Sequence, residues 1–317
     1  MFEDKKIAVL LPCYNEEQSI EKVVTDFRHV LPSADIYVYD NNSTDSSASL
    51  AEKAGAIVII EPAQGKGNVI RSMFSDINAD IYIMSDADDT YNADDAPRLI
   101  QAIMDGYDIA IGDRLSTSYY EENKRPMHNA GNDFMRSFIN RLFHGHINDI
   151  LTGYRAFSKR FVKNFPVLSS GFEVETEMSI FTLNNRIKYK NVPTLYKDRA
   201  SDNPSKLRTV PDGIKCIKMA LNMIRIYRPL MFYGIIAVIL CIVATAFFIP
   251  VLKAYYIYHI VKKFPTLIVC CFTYLTAIQL LVLGLLLNAI NYSQKQLFEN
   301  HLSQNRRKEK FQGLFKK

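Results

Sequence analysis

Tryptophan is absent from the chain, and neither a CxxC pair nor an HExxH segment occurs. The first absence leaves no QxxRW-like segment. The five cysteines, Cys13, Cys216, Cys241, Cys270 and Cys271, lack metal-ligand spacing and read as reduced fillers. Among the six histidines, His144-Gly145-His146 is the closest approach to a ligand pair and reads as a loop, so zinc chemistry is not indicated. Glycine-rich phosphate loops of the GxxxxGK(S/T) or GxGxxG type are missing. Repeats and low-complexity stretches are missing too. No leading apolar segment resembles a signal peptide, which predicts a cytosolic N-terminal domain.

Charge is missing from two long stretches, Pro229 to Leu252 and Phe264 to Gln294. Each exceeds the roughly 20 residues that cross a bilayer core as helix. We therefore expect two transmembrane helices, at about 230–251 and 266–288, within residues 229–294. Charge elsewhere is uneven: residues 1–204 hold 22 Lys plus Arg against 30 Asp plus Glu, residues 205–228 hold six against one, and residues from Lys295 onward hold seven against two. Between the apolar runs stand only Lys253, Lys262 and Lys263. Basic residues are densest outside the hairpin, which predicts both termini on the cytoplasmic side and residues 295–317 as a basic cytoplasmic tail. An acidic large domain argues against nucleic acid, and the basic residues beside the apolar runs suit anionic lipid. Lys215, Lys218, Asn222, Arg225 and Arg228 recur at spacings of three and four with apolar residues between, so residues 212–228 read as an amphipathic interfacial helix or as a packed surface helix of the soluble domain.

Through the first 115 residues, apolar runs alternate with helical patterns. Lys6 to Pro12, Ile36 to Asp40, Ala56 to Glu61, Asp80 to Ser85 and Asp108 to Gly112 read as strands, and Glu17 to Val30, Ser46 to Ala54, Lys66 to Ile77 and Ala93 to Asp105 as helices. The order βαβαβαβαβ predicts an α/β fold with a mainly parallel sheet and ligands at the strand C-termini. Residues 115–205 are less periodic, with a helix over Met127 to Phe143, and are expected to form the second substrate's surface. Residues 1–211 are expected to be one domain.

Three strand ends carry polar clusters. After the first, Pro12, Tyr14 and Glu16 offer an aromatic to stack on a base and a carboxylate to accept from a ribose hydroxyl, the alternative being a simple helix entry. After the second, the Asn41 carbonyl suits the imide N–H of uracil, whereas Ser43, Thr44 and Asp45 read as helix caps. After the fourth comes Asp86-Ala87-Asp88-Asp89: two carboxylates one residue apart suit a shared Mg2+ or Mn2+, the alternative being solvated turn acids. Gly65-Lys66-Gly67 is either a phosphate approach, with Lys66 and Arg71 facing a diphosphate, or a simple tight turn. Arg114 is a further phosphate candidate.

Together these pieces resemble the family 2 glycosyltransferases of GT-A fold. Pro12-Cys13-Tyr14-Asn15-Glu16, the Asp40 to Asp45 loop, Gly65-Lys66-Gly67 and Asp86-Ala87-Asp88 stand in that family's order. Asn148-Asp149-Ile150-Leu151-Thr152-Gly153-Tyr154-Arg155, Gly171-Phe172-Glu173-Val174-Glu175, and Arg199 followed by Ser205-Lys206-Leu207 look like its polyprenyl-phosphate branch, which includes dolichol-phosphate mannose synthases. The two apolar runs are similar to those of its GtrB-like members. The resemblance implies that Pro12, Tyr14, Tyr39, Asn41, Asp86 and Ala87 line the nucleotide pocket, that Asp88, with Asp86 beside it, holds a divalent metal, and that Arg114 contacts the donor. Asp149, Arg199, Ser205 and Lys206 are implied on the acceptor side. Asn41 and Asp113 depart from the family, which often has Asp and Ser there.

The implied reaction is inverting transfer of a hexose from a nucleotide-diphosphate sugar, UDP-linked by likeness to the GtrB-like members, to an undecaprenyl-type phosphate for cell-envelope glycans. A homo-tetramer in the cell membrane is the family-based expectation. A phosphomonoester with a second pKa near 6 is mostly a dianion at pH 7 and is nucleophilic without a base. Asp149 is thus either an orienting residue or a proton acceptor. Arg199 and Lys206 suit the lipid phosphate. Two rivals are a polysaccharide synthase, disfavoured by the missing QxxRW segment and by having only two spans, and a non-catalytic sugar-nucleotide-binding scaffold. Lys206→Ala is expected to lower lipid-linked product more than sugar-nucleotide binding; radiolabelled transfer measured beside donor titration checks this, and equal loss of both removes Lys206 from the acceptor side.

Overall fold

The computed structural model describes residues 4–117, 126–197 and 221–314, and the chain divides into two units, Met1–Asp212 and Gly213–Lys317. In the first unit the elements run β1 (Ile7–Cys13), α1 (Ile20–Val30), β2 (Asp35–Asp40), α2 (Ser47–Lys53), β3 (Ile57–Ile60), α3 (Lys66–Asp76), β4 (Ile81–Met84), α4 (Ala96–Met104) and β5 (Ile109–Asp113). These are the nine expected elements, with ends shifted by up to three residues. The largest shifts are at helix starts. Residues Ala93–Asp95 form a separate 3-10 turn, entered where Asn92 accepts from the Asp94 N–H, and the α-helix begins only at Ala96. Strand β1 is buried at every position but Pro12, and β4 along its whole length, as parallel strands covered on both faces require.

The sheet has seven strands in the order β3-β2-β1-β4-β6-β5-β7, where β6 is Arg155–Ser158 and β7 is Tyr189–Pro193. Strands β3, β2, β1 and β4 are parallel neighbours, and β5 is parallel to β7. Strand β6 is antiparallel to both β4 and β5 and separates them. The winding reverses between β1 and β4, so a crevice opens at their C-terminal ends, the place where doubly wound sheets bind ligands. Among the described residues of the unit, three further helices follow: α5 (Pro126–Phe143), α6 (Lys159–Asn164) and α7 (Val174–Asn184). Ile7, Val9 and Leu11 of β1 join one core cluster with Val23, Val24 and Phe27 of α1 and Leu99, Ile100 and Ile103 of α4. Elsewhere a run of phenylalanines ties α3 to β6, α6 and α7, with Phe74 5.5 Å from Phe157 and Phe165 5.1 Å from Phe181 between ring centroids.

The segment from Phe165 to Glu173 lies on the first turn of α3. The Gly67 N–H donates to the Ser170 carbonyl at 3.0 Å, and Arg71 donates to the carbonyls of Val167 and Leu168. The Glu177 carboxylate accepts the N–H groups of Leu168 and Ser169. A Cβ at Gly67 would sit 2.1 Å from the Ser169 oxygen, and one at Gly65, already at φ +127, 2.2 Å from the Ser170 oxygen. The two glycines therefore admit the chain's own backbone, and Arg71 holds that segment where the sequence reading turned it to a diphosphate.

In the second unit residues 221–227 are helical, followed by α8 (Pro229–Tyr258) and α9 (Phe264–Leu314). Both α8 and the Phe264–Asn300 part of α9 are long and apolar enough to cross a bilayer. Asn291 donates to the Ile226 carbonyl, Gly284 abuts Leu230 and Tyr233, and Thr245 shares a 2.7 Å hydrogen bond with Tyr274. Contacts that descend one helix as they climb the other describe an antiparallel hairpin. Its turn is made by His259, at φ 51 in the left-handed region, through Lys263. Both helices outrun the expected spans: α8 continues through Lys253, and α9 continues through residue 295, where a tail was expected, as far as Leu314. Of the expected interfacial helix, residues 212–220 lie outside the described residues.

Two substitutions test this packing. Gly67→Ala is expected to cost about 1–3 kcal/mol of stability in chemical or thermal unfolding, because the carbonyl it strikes is backbone. Arg155→Met is expected to cost about 3 kcal/mol or more in the same measurement, since it orphans the Ile150 and Thr152 carbonyls that the buried guanidinium satisfies.

Candidate active site

The loops after β1, β2 and β4 are tied into one rim. Asn15 donates its N–H to Ser43 Oγ at 2.9 Å and accepts the Thr44 N–H at 2.8 Å; Glu16 donates its N–H to Ser47 Oγ; Ser19 Oγ donates to the Ala87 carbonyl at 2.8 Å. Asn15, Asn42 and Asp89 take positive φ of 54, 63 and 59 degrees, which Asn and Asp tolerate better than other side chains. Asp45 accepts from the N–H and hydroxyl of Ser47, a capping role at the start of α2.

This rim uses several expected nucleotide contacts for its own construction. Asn41 is buried; its amide donates to the carbonyls of Glu61 and Ala63, and its oxygen accepts from the Gly65 N–H at 2.7 Å and from Gln64. Both lone pairs of that oxygen are engaged, so Asn41 shapes the loop before α3. Tyr39 is buried in β2, its hydroxyl donating to Asp76, and Pro12 pairs beside it in the β1–β2 register. Tyr14 is 40% exposed at the rim, Glu16 is buried, and Ala87 is buried behind the acidic cluster. Asp113 accepts from the Ser116 N–H and the Asn148 amide, and Asp89 pairs with Lys22.

The centre of the site is a partly buried string of charges. Lys66, at the first turn of α3, lies 2.5 Å from an oxygen of Asp86 after β4 and 2.5 Å from an oxygen of Glu175 on α7. Burial alone would depress the ammonium, but Asp86 and Glu175 outweigh it and hold Lys66 well above the ordinary lysine value. Burial, aided by Asp86 and opposed by Lys66, raises Glu175. Beyond β5, Arg114 grips the 2% exposed Asp149 through Nε at 2.6 Å and Nη2 at 3.4 Å, and its guanidinium lies over the Tyr196 ring. Arg155, wholly buried on β6, donates to the carbonyls of Thr152 and Ile150 and to Ser179. Burial pulls it down to about 10, with Glu175 and Asp149 opposing, so it stays charged at neutral pH. The Tyr91 hydroxyl accepts the Gly153 N–H, and burial pushes the phenol up to about 12.

A divalent cation is the group these residues are expected to take. Asp86 and Asp88 supply hard carboxylate oxygens, the donor chemistry that Mg2+ and Mn2+ favour. Asp88 is steadied by the Thr90 N–H and hydroxyl, the latter at 2.6 Å. A Cβ at Gly153 would fall 2.7 Å from both Asp86 oxygens, so that glycine makes the space the carboxylate fills. The residues fit a cation that takes further oxygens from a ligand. Among the described residues no group of three or more His, Cys, Asp or Glu converges to hold one alone.

The structure pairs Lys66 with Asp86 and Arg114 with Asp149, and gives the side chains of Tyr39 and Asn41 partners within the protein. Arg199, Ser205 and Lys206 lie outside the described residues. Sequence reasoning gave no separate role to Glu175 or Arg155. Their signal was present: acids at positions 175 and 177 stand in a helix buried from Val174 to Thr182, and buried charges require partners.

Comparison with known proteins bears on the family and the fold. The profile of glycosyl transferase family 2 matches residues 8–165. Glycosyltransferase AglJ of Haloferax volcanii is 35% identical over 233 residues, covering 72% of this chain and 75% of that protein. The dolichyl-phosphate hexose transferase of the same organism is 27% identical over 196 residues, covering 62% of this chain and 85% of that protein. Among solved structures, glucosyl-3-phosphoglycerate synthase of Mycobacterium tuberculosis, crystallised with Mn2+, UDP and glucosyl-3-phosphoglycerate, superposes with a TM-score of 0.54 at 19% identity over 70% of this chain and 80% of that one, a likeness of fold. With its crevice between β1 and β4, its acidic cluster and its mostly parallel sheet, the chain belongs to glycosyl transferase family 2 and has the GT-A fold.

Proposed function

We propose that the chain transfers a hexose, with inversion, from a UDP-sugar to the phosphate of a membrane polyprenol. The observation that carries this reading is the Asp86 carboxylate, two residues from Asp88, paired with the largely buried Lys66 just beyond the C-terminal end of β4, at the β1–β4 reversal of the sheet. The dolichyl-phosphate hexose transferase among the relatives supports a lipid-phosphate acceptor. So do two apolar helices of bilayer length, and the distribution of basic residues supports a cytoplasmic first unit.

In this reaction the bond from the anomeric carbon to the diphosphate oxygen breaks, and a bond from that carbon to an acceptor phosphate oxygen forms. The nucleoside diphosphate leaves with the electron pair. Asp88 and Asp86 would hold a divalent cation, which when bound offsets charge growing on the departing diphosphate. Tyr14, exposed at the rim, stacks on the base, and Glu16 accepts from the ribose. Lys66 supplies a positive charge to the diphosphate from the α3 side. An acceptor dianion attacks without surrendering a proton, so no general base is required. Asp149, with both oxygens engaged by Arg114 and one also accepting the Leu151 N–H, serves to orient Arg114 toward the reacting groups. Arg199, Ser205 and Lys206 take the lipid phosphate.

Asp88→Ala is expected to abolish metal-dependent binding of UDP by calorimetry and to lower formation of lipid-extractable radiolabelled product by about 100-fold or more. Unchanged metal dependence removes Asp88 from the ligand set. A panel of UDP-hexoses, with GDP-mannose as the contrasting donor, assayed with undecaprenyl phosphate, identifies the sugar; no lipid-extractable label from any donor overturns the reading.

A further inference from the structure

Resting on the assignment of Asp86 and Asp88 to a cation, we propose that Lys66 is a placeholder on Asp86. Anchored by Glu175 as a positioning residue, it keeps the cation site closed until a nucleoside diphosphate draws the ammonium away. The Lys66 Nζ sits 2.5 Å from one oxygen of each carboxylate, the distance of direct pairing. An ammonium on Asp86 Oδ1 contests that oxygen with any divalent ion and repels the ion across a short, mostly buried gap, where water screens poorly.

The two ends of the bridge are unequal. Glu175 is 5% exposed, near the start of a helix buried through Thr182, a terminus that favours an acid. Asp86 is 27% exposed and stands at the crevice. Lys66 itself begins α3, where the helix dipole disfavours a cation, so the two carboxylates are what hold it there. A ligand arriving from the crevice meets the Asp86 end first. A diphosphate carries more negative charge than one carboxylate, and it can take the ammonium from Asp86 while Glu175 keeps the lysine within reach. The exposed Phe172 ring, 5.9 Å from Nζ, gives the moving ammonium a second favourable neighbour. Asp86 is thereby released to the cation as the nucleotide arrives, so nucleotide and metal bind with positive coupling, and the free protein binds divalent ions more weakly than the nucleotide-bound one.

The test is Mn2+ binding to the full-length protein without nucleotide, read from the electron paramagnetic resonance signal of free Mn2+. Lys66→Met combined with Glu175→Gln removes equal and opposite charges, so the balance of the buried string is preserved. This double variant is expected to bind Mn2+ about tenfold more tightly than the wild type. Lys66→Arg, which retains the cation, is expected to bind Mn2+ like the wild type. If the double variant does not fold, Lys66→Gln, whose amide still donates to Asp86, carries the same expectation. A folded charge-removed variant that binds Mn2+ no more tightly than the wild type overturns the placeholder. Adding Asp88→Asn separates the two readings: loss of Mn2+ binding without tightening in the double variant defeats the placeholder alone, whereas Mn2+ binding indifferent to Asp88 defeats the cation assignment and the placeholder with it.

Discussion

The ion triplet Asp86–Lys66–Glu175 is the interaction around which the catalytic unit is arranged. Its members come from the end of β4, the start of α3 and the start of α7, elements separated by up to about a hundred residues of chain. Charges taken out of water are costly unless each meets its partner at short range, and breaking one such pair typically costs about 3–5 kcal/mol. The site can therefore exist only when the sheet and both helices are docked together. Assembly of the active site and assembly of the fold are one event.

The surrounding structure serves that constraint. Gly65 and Gly67 lack side chains so that Ser169 and Ser170 can lie against the first turn of α3, and Arg71 and Glu177 hold the carbonyls and N–H groups of Val167 to Ser169. Gly153 clears room for Asp86, while its N–H is taken by Tyr91. Arg155 repeats the logic one layer deeper, binding the loop at Ile150–Thr152 to Ser179 on α7. Strand β6 is short, but by entering antiparallel between β4 and β5 it carries Arg155 into the core and sets Gly153 against Asp86. The loops that meet ligand are thus held by hydrogen bonds on their inner sides, leaving Tyr14 and part of Asp86 toward the crevice.

The parallel half of the sheet was legible because its strands are continuous apolar runs separated by amphipathic helices, a pattern set by local periodicity. Residues 155–193 were not legible in the same way. Arg-Ala-Phe-Ser is too short for an alternation to register, and α7, buried on nearly all sides, has no polar face to betray its period. The Asp86–Asp88 cluster and Lys66 stood out as charge beside a strand end and a helix start. Asn41 and Tyr39 stood out as polar residues at a strand end, but their partners within the protein, Gly65 and Asp76, lie too far along the chain for local pattern to name them.

What the sequence determined by itself was the order of strands and helices, the acidic cluster at the end of the fourth strand and two apolar helices of bilayer length, because each depends on residues close together in the chain. What only the tertiary structure decided was which charges face one another and which polar groups are consumed by scaffold. Pairing energies at 2.5 to 3 Å depend on distance in space, and residues 66, 86 and 175 become neighbours only when the sheet, with β6 inserted, brings three distant helix and strand ends to one point.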